Sequence, residues 1–302
     1  MRIYINRRPK EGPWGGGIKT VNKMVDTLRE SGHDVVFQLV PNIDVIFCID
    51  PRPNEYGEWY QTFLQYKSVY QETKIVQRVG DLGTHSKPEL THLVKQTLDY
   101  SDFFIFPSEW AKEWIGFHGE NYKIVHNCPM KIFHEHKTEE KNIEGKIKLV
   151  THHWSMNPKK GFDLYQKLEE YIGKNDKYQF TYIGRKPEGY EFSNYIPPID
   201  SKSISKELPK HHIYLTASLE EAGANHVLEA MASGLPVVFH QAGGSIPNYC
   251  DEYGLKFSDF EEMIKSIEQM VDNYTIYKEN VLRYTKENTQ VVDSYMGIIS
   301  NL

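Results

Sequence analysis

Residues 221–241 read Glu-Ala-Gly-Ala-Asn-His-Val-Leu-Glu-Ala-Met-Ala-Ser-Gly-Leu-Pro-Val-Val-Phe-His-Gln, followed by Ala242-Gly243-Gly244, and this stretch decides the fold. It places Glu221 before a short helix and Glu229 inside it, ahead of a buried strand. Asn225 is the predicted helix N-cap, Ala230 and Ala232 are small enough for close packing, and Gly234 is where the helix should stop. Pro236 blocks any continuation. Val237, Val238 and Phe239 then form an unbroken apolar run, the pattern of a parallel strand covered on both faces.

Outward from this block the same alternation recurs. Strand-like runs at Ile3–Ile5, Val35–Phe37, Val45–Phe47, Ile75-Val76, Phe103–Phe106 and Ile124-Val125 form one series. A second series begins at Ile147–Val150 and continues through Phe180–Ile183, Ile213–Leu215 and Val237–Phe239. Helix-like segments separate the runs, such as Ile18, Val21, Val25 and Leu28, which recur at helical spacing and end at Ser31-Gly32-His33. The pattern predicts α/β architecture with parallel sheets and helical crossovers. His134 to Lys146, dense in Glu and Lys, reads as a linker. The predicted domains are therefore residues 1–135 and 146–284. The tail from Tyr277 to Leu302 reads as one long helix.

Length and composition agree with two globular domains. The chain has 302 residues, beyond what one core usually holds, with 39% hydrophobic and 13% aromatic residues. Its net charge of -6 argues against a nucleic-acid-binding surface. No apolar run is long enough for a membrane span, and Met1 to Asn6 lack a signal-peptide core, so a soluble, cytoplasmic protein is expected. Cys48, Cys128 and Cys250 are odd in number and far apart, which favours reduced thiols. His134-Glu135-His136 and His152-His153 lack further ligands at a recognisable spacing, so no metal site is expected.

The Glu-x7-Glu block resembles the signature of retaining glycosyltransferases of the glycosyltransferase-B fold, family four in particular. The resemblance implies two Rossmann-like domains facing across a cleft that holds the active site, with a C-terminal helix of about residues 285–302 returning to the N-terminal domain. It implies a sugar transferred from a nucleoside-diphosphate donor to an acceptor hydroxyl of a glycan, glycoprotein or glycolipid precursor. By position, Glu221 would contact the transferred sugar and Glu229 the ribose hydroxyls, with Gly223, Ala224 and Asn225 adding donor contacts. Main-chain N–H groups near Gly223, Ala224 and Gly243-Gly244 are expected to steady the leaving phosphate. There is no Asp-x-Asp motif, and the family generally works without a catalytic metal or cofactor.

Other motifs fit the same frame. Pro13-Trp14-Gly15-Gly16-Gly17 precedes the first helix, where glycines and free N–H groups favour an anion; the resemblance implies that Gly16 and Gly17 lie over the donor diphosphate. It is not the Gly-x-Gly-x2-Gly of a dinucleotide oxidoreductase. In Thr151-His152-His153-Trp154-Ser155-Met156-Asn157-Pro158-Lys159-Lys160-Gly161, Lys160 matches the family's phosphate-binding lysine. The family's arginine position falls at Ser155, so Lys159, Arg185 or an N-domain residue is left to supply the second phosphate contact. The segment around Ile196 to Ile199 is implied to line the base through main-chain groups. Arg78, Asp81 and His85, at a strand's carboxyl end, are candidate acceptor or sugar contacts. Two other readings compete: a sugar-nucleotide epimerase or phosphorylase of related fold, and a non-catalytic protein that binds a sugar or nucleotide.

Overall fold

The computed structural model describes residues 1–10 and 16–302, so the Pro13-Trp14-Gly15 part of the glycine-rich turn lies outside the described residues. The described chain forms two compact units: Met1–Asn127 with Asn288–Leu302, and Cys128–Glu287.

The first unit runs β1 (Arg2–Ile5), α1 (Gly16–Glu30), β2 (Asp34–Val36), β3 (Val45–Cys48) and α2 (Tyr60–Val69). It continues through β4 (Lys74–Arg78), α3 (Pro88–Thr97), β5 (Phe103–Phe106), α4 (Glu109–Ile115) and β6 (Tyr122–Ile124). The strands pair in the order β2-β1-β3-β4-β5-β6, all parallel. All four residues of β3 are buried, as a strand covered by helices on both faces requires.

The second unit opens with α5 (Ile132–Glu135) and β7 (Ile147–His153), then a 3-10 turn at Pro158–Lys160 and α6 (Phe162–Ile172). Next come β8 (Tyr178–Gly184), β9 (Asn194–Ile196), α7 (Ser201–Glu207), β10 (Ile213–Thr216) and α8 (Asn225–Ala232). The remainder is β11 (Val237–His240), α9 (Ile246–Cys250), β12 (Gly254–Phe257), α10 (Phe260–Asp272) and α11 (Tyr274–Leu282). Its parallel sheet has the order β12-β11-β10-β7-β8-β9. From β7 the chain adds strands on one side through β8 and β9, then returns to the other side at β10. That reversal makes the carboxyl ends of β7 and β10 the switch point, where open α/β sheets bind ligands.

Several expectations need correction. The second unit begins ahead of the predicted linker, because Phe133 is fully buried in its core with Val150, Val227 and Tyr284. Asn225 is the first residue of α8, not its N-cap; Ala224 holds the cap position and its N–H is taken by Ser245 Oγ at 3.1 Å. Gly234 does end the helix region, with φ of +83°, and its carbonyl accepts from the buried Lys278 Nζ at 2.6 Å. The predicted terminal helix is two helices, α11 and α12 (Asn288–Ser300). Side chains take the carbonyls between them: Lys137 Nζ donates to Leu282 O at 3.2 Å and Tyr284 O at 2.8 Å, and His134 Nε2 reaches Lys286 O at 2.9 Å. The second of these helices packs on α1 within the first unit. Among the described residues no helix is long and apolar enough to cross a membrane.

Candidate active site at the second switch point

The chain leaving β10 carries Glu220 and Glu221, and the chain leaving β7 carries Lys159 and Lys160. Asn157 Oδ1 accepts from Lys159 N at 3.0 Å and caps the 3-10 turn, so the lysines are presented by a fixed turn. Leu219 N donates to Lys159 O at 2.8 Å and ties the two loops together. Gly161 has φ of +84°, and a Cβ there would lie 2.4 Å from Ala217 Cβ, so only glycine permits this approach.

These restraints bring together side chains far apart in sequence. Lys160 Nζ pairs with Glu221 Oε1, and both side chains are largely buried. Beside them Lys159 Nζ pairs with Glu220 Oε2 in a more exposed bridge. Glu220 adopts φ of +52°, a strained value for a residue with a side chain.

The residue that follows, Glu221, is held by its main chain. Its N–H donates to Gly243 O at 3.2 Å and its carbonyl accepts from Ser245 N at 2.8 Å. Gly244 has φ of +71°, and a Cβ on it would lie 2.4 Å from Glu221 O and 2.6 Å from Glu221 N. The glycine pair thus works as a backbone seat for Glu221.

Behind the ion pair lies a buried group of which the sequence marked Glu229 as a ribose contact and His152-His153 only as poor metal ligands. His152 Nε2 hydrogen-bonds Glu229 Oε2 at 2.9 Å. His153 Nε2 meets Tyr165 OH at 2.8 Å, and His226 Nε2 meets Thr216 Oγ1 at 3.0 Å. The His226 ring lies 5.1 Å from that of His153 and 6.3 Å from that of His152. Among the described residues no group of three or more His, Cys, Asp or Glu is placed to hold a metal ion.

Burial pushes the His226 imidazole down to about 3 from its ordinary value of 6.5, although Glu221 and Glu229 pull the other way. The folded form stays neutral where the unfolded chain takes up a proton. Stability is therefore complete above pH 6.5 and erodes as pH falls towards 3, by at most about 1.4 kcal/mol per pH unit from this group. Urea midpoints measured from about pH 7 to pH 4 are expected to fall, and less steeply in His226→Gln. An identical slope in the variant would remove His226 from the account.

The remaining candidates are scattered. Arg185, after β8, is exposed and sits over the Trp154 ring at 4.1 Å from its centroid. Its N–H donates to His153 O at 3.1 Å. Ser155 Oγ accepts from Asn157 N at 3.2 Å, which gives this position a role in shaping the lysine turn. Ile199 packs half-buried against the core around α8. The main-chain donor expected at Ala224 is occupied by Ser245, while Gly223 is half-buried beside it.

In the first unit, Gly16 and Gly17 open α1, and among the described residues a Cβ on Gly17 would meet nothing within 4 Å. Asp81 bonds Lys87 Nζ at 2.7 Å and Gly83 N at 3.0 Å, and His85 is half-buried. Arg78, a candidate acceptor or sugar contact, is buried, donating from Nε to Tyr295 OH at 2.7 Å and from Nη2 to Asn127 Oδ1 at 2.9 Å.

Two parallel six-stranded α/β units of this topology match solved structures of the glycosyltransferase-B fold. Over residues 150–273 the chain matches the family model described as glycosyl transferases group 1. Solved structures share the fold across the chain. Sucrose-phosphate synthase from Thermosynechococcus elongatus is 14% identical with a TM-score of 0.67, the match covering 99% of this chain and 96% of that one. WaaG, a glycosyltransferase involved in lipopolysaccharide biosynthesis, is 14% identical with a TM-score of 0.67, covering 99% and 100%. HepE of Anabaena in complex with UDP-glucose is 14% identical with a TM-score of 0.69, covering 100% and 99%. No curated protein sequence matches.

Proposed function

We propose that this protein transfers a sugar from a nucleoside-diphosphate donor to an acceptor hydroxyl with retention of configuration and without a metal ion. The observation that carries the reading is the Lys160–Glu221 pair at the β7–β10 switch point, with the carboxylate of Glu229 buried beside it.

Each group has a task that its chemistry suits. Lys160 is a point charge for a diphosphate oxygen. Arg185, exposed and held over Trp154, is assigned the second phosphate contact in place of the missing arginine, with Lys159, paired with Glu220, and an N-domain residue as the other candidates. Glu221 accepts hydrogen bonds from the sugar hydroxyls, and Glu229 accepts them from the ribose.

In the reaction the bond from the anomeric carbon to the diphosphate oxygen breaks, and the acceptor oxygen bonds to the same face. The leaving phosphate takes the acceptor's proton. Negative charge grows on the leaving oxygen, so a fixed cation beside it stabilises the transition state more than the ground state. Lys160 and Arg185 together supply the neutralisation that a divalent ion provides elsewhere. Because HepE binds UDP-glucose, a uridine nucleotide is the first donor to test.

Calorimetric titration with UDP, GDP and ADP tests the reading without the acceptor. Saturable one-to-one binding of one nucleotide, weakened on the order of 10-fold or more in Glu229→Ala, is expected. Binding of none of the three would sink the transferase reading.

A further inference from the structure

The buried histidine at the end of β7 has a task that the reaction above does not use. We propose that His152 is a positioning residue for nucleotide recognition, acting through Glu229 to let the site distinguish a ribonucleotide from a deoxynucleotide. The proposal rests on the reading of Glu229 as the ribose contact.

His152 is held through its main chain and by two neighbouring rings. Its N–H donates to Tyr214 OH at 3.2 Å, and that hydroxyl donates to its carbonyl at 3.3 Å. The Tyr214 ring stands edge-on at 5.4 Å and the His226 ring perpendicular at 6.3 Å. The side chains of His152 and Glu229 are both more than nine-tenths buried.

A carboxylate can only accept, so the 2.9 Å contact places the imidazole proton on Nε2. Nδ1 is then a bare acceptor, and it is buried with no hydrogen-bond partner among the described residues. An unsatisfied buried acceptor destabilises a fold, and a leucine or phenylalanine in the same space would avoid that cost. What the ring offers at this position is therefore its Nε2 donor. Donation to Oε2 favours the charged carboxylate and fixes its plane, which sets the direction of the other oxygen. A charged carboxylate of fixed orientation can accept from both hydroxyls of a vicinal diol, whereas a protonated or rotating one cannot.

The test compares UDP with 2′,3′-dideoxy-UDP. Wild type is expected to prefer UDP on the order of 10- to 100-fold. His152→Leu should reduce that preference to within about 3-fold while leaving affinity for the dideoxy nucleotide unchanged. His152→Gln, whose amide can replace the Nε2 donor, should restore most of it. Should the leucine variant not fold, His152→Asn, too short to reach Glu229, is expected to lose the preference in the same way.

Retention of the preference without an Nε2 donor overturns the proposal. So does an equal loss for both nucleotides, which marks a purely structural histidine. A wild type that binds both nucleotides equally well instead defeats the ribose reading of Glu229 itself, and the proposal falls with it.

Discussion

Replacing Glu221 by glutamine is expected to lower kcat on the order of 10²- to 10³-fold while nucleotide affinity changes by no more than a few-fold. Glutamine keeps the length of the side chain and an oxygen for the Lys160 ammonium, but it removes the charge. Lys160 and Glu221 are mutual partners in a largely buried pair. Removing one charge leaves the other uncompensated, at a cost of about 3 kcal/mol or somewhat less given the residual exposure.

That loss lowers Tm as well, and the two effects can be separated. The double variant Lys160→Met, Glu221→Gln removes the stranded ammonium and is expected to regain most of the stability but none of the turnover. Steady-state kinetics beside thermal melts decide the matter. If Glu221→Gln turns over at the wild-type rate, the residue has no part in the chemistry.

Gly244→Ala should abolish activity to a similar degree through the backbone alone. The φ of +71° disfavours a side chain, and the new Cβ would lie 2.4 Å from Glu221 O and 2.6 Å from Glu221 N. Neither atom is the end of a flexible group, so the two loops must separate. Both backbone hydrogen bonds that seat Glu221 then break. A destabilisation of about 2–4 kcal/mol is expected, with a matching fall in kcat. Gly173→Ala is the control, because its φ is -58° and its nearest neighbour would be at an ordinary 3.5 Å; it should change stability by no more than about 0.5 kcal/mol. Full activity in Gly244→Ala would mean that the 243–245 loop does not place Glu221.

How much of this was legible in the sequence depended on the range of each interaction. Central strands such as β10 and β11 were readable because burial on both faces leaves an unbroken apolar run. The edge strand β9 was not: Asn194 and Tyr195 are exposed, and prolines follow. At the other edge, β12 begins at Gly254, where a Cβ would strike Val237 O at 2.0 Å, so a glycine that suggests a turn is a close strand contact. The start of α8 was displaced by one residue: Ala224 holds the cap position without a side-chain cap, and its N–H donates to Ser245 Oγ, 21 positions away. The break after α11 contains no proline or glycine; carbonyl capture by His134 and Lys137 produces it.

The site divides in the same way. Glu221, Glu229 and Lys160 were marked by local motifs. Their partners were not, since the Lys160–Glu221 and His152–Glu229 contacts span 61 and 77 residues. Position could have drawn attention to His152, a polar residue at the end of a buried central strand. Nothing local shows that Arg78, at a strand end, is buried.

That arginine also has a bearing on how the protein is made. Its partner Tyr295 lies 217 residues later, on a helix that belongs to the first unit although it follows the whole of the second. During synthesis the middle of the chain can finish folding while the beginning still waits for its last helix. Of the two units, the one that begins first is thus completed last, and a stop codon between residues 287 and 295 would deprive the Arg78 guanidinium of this partner.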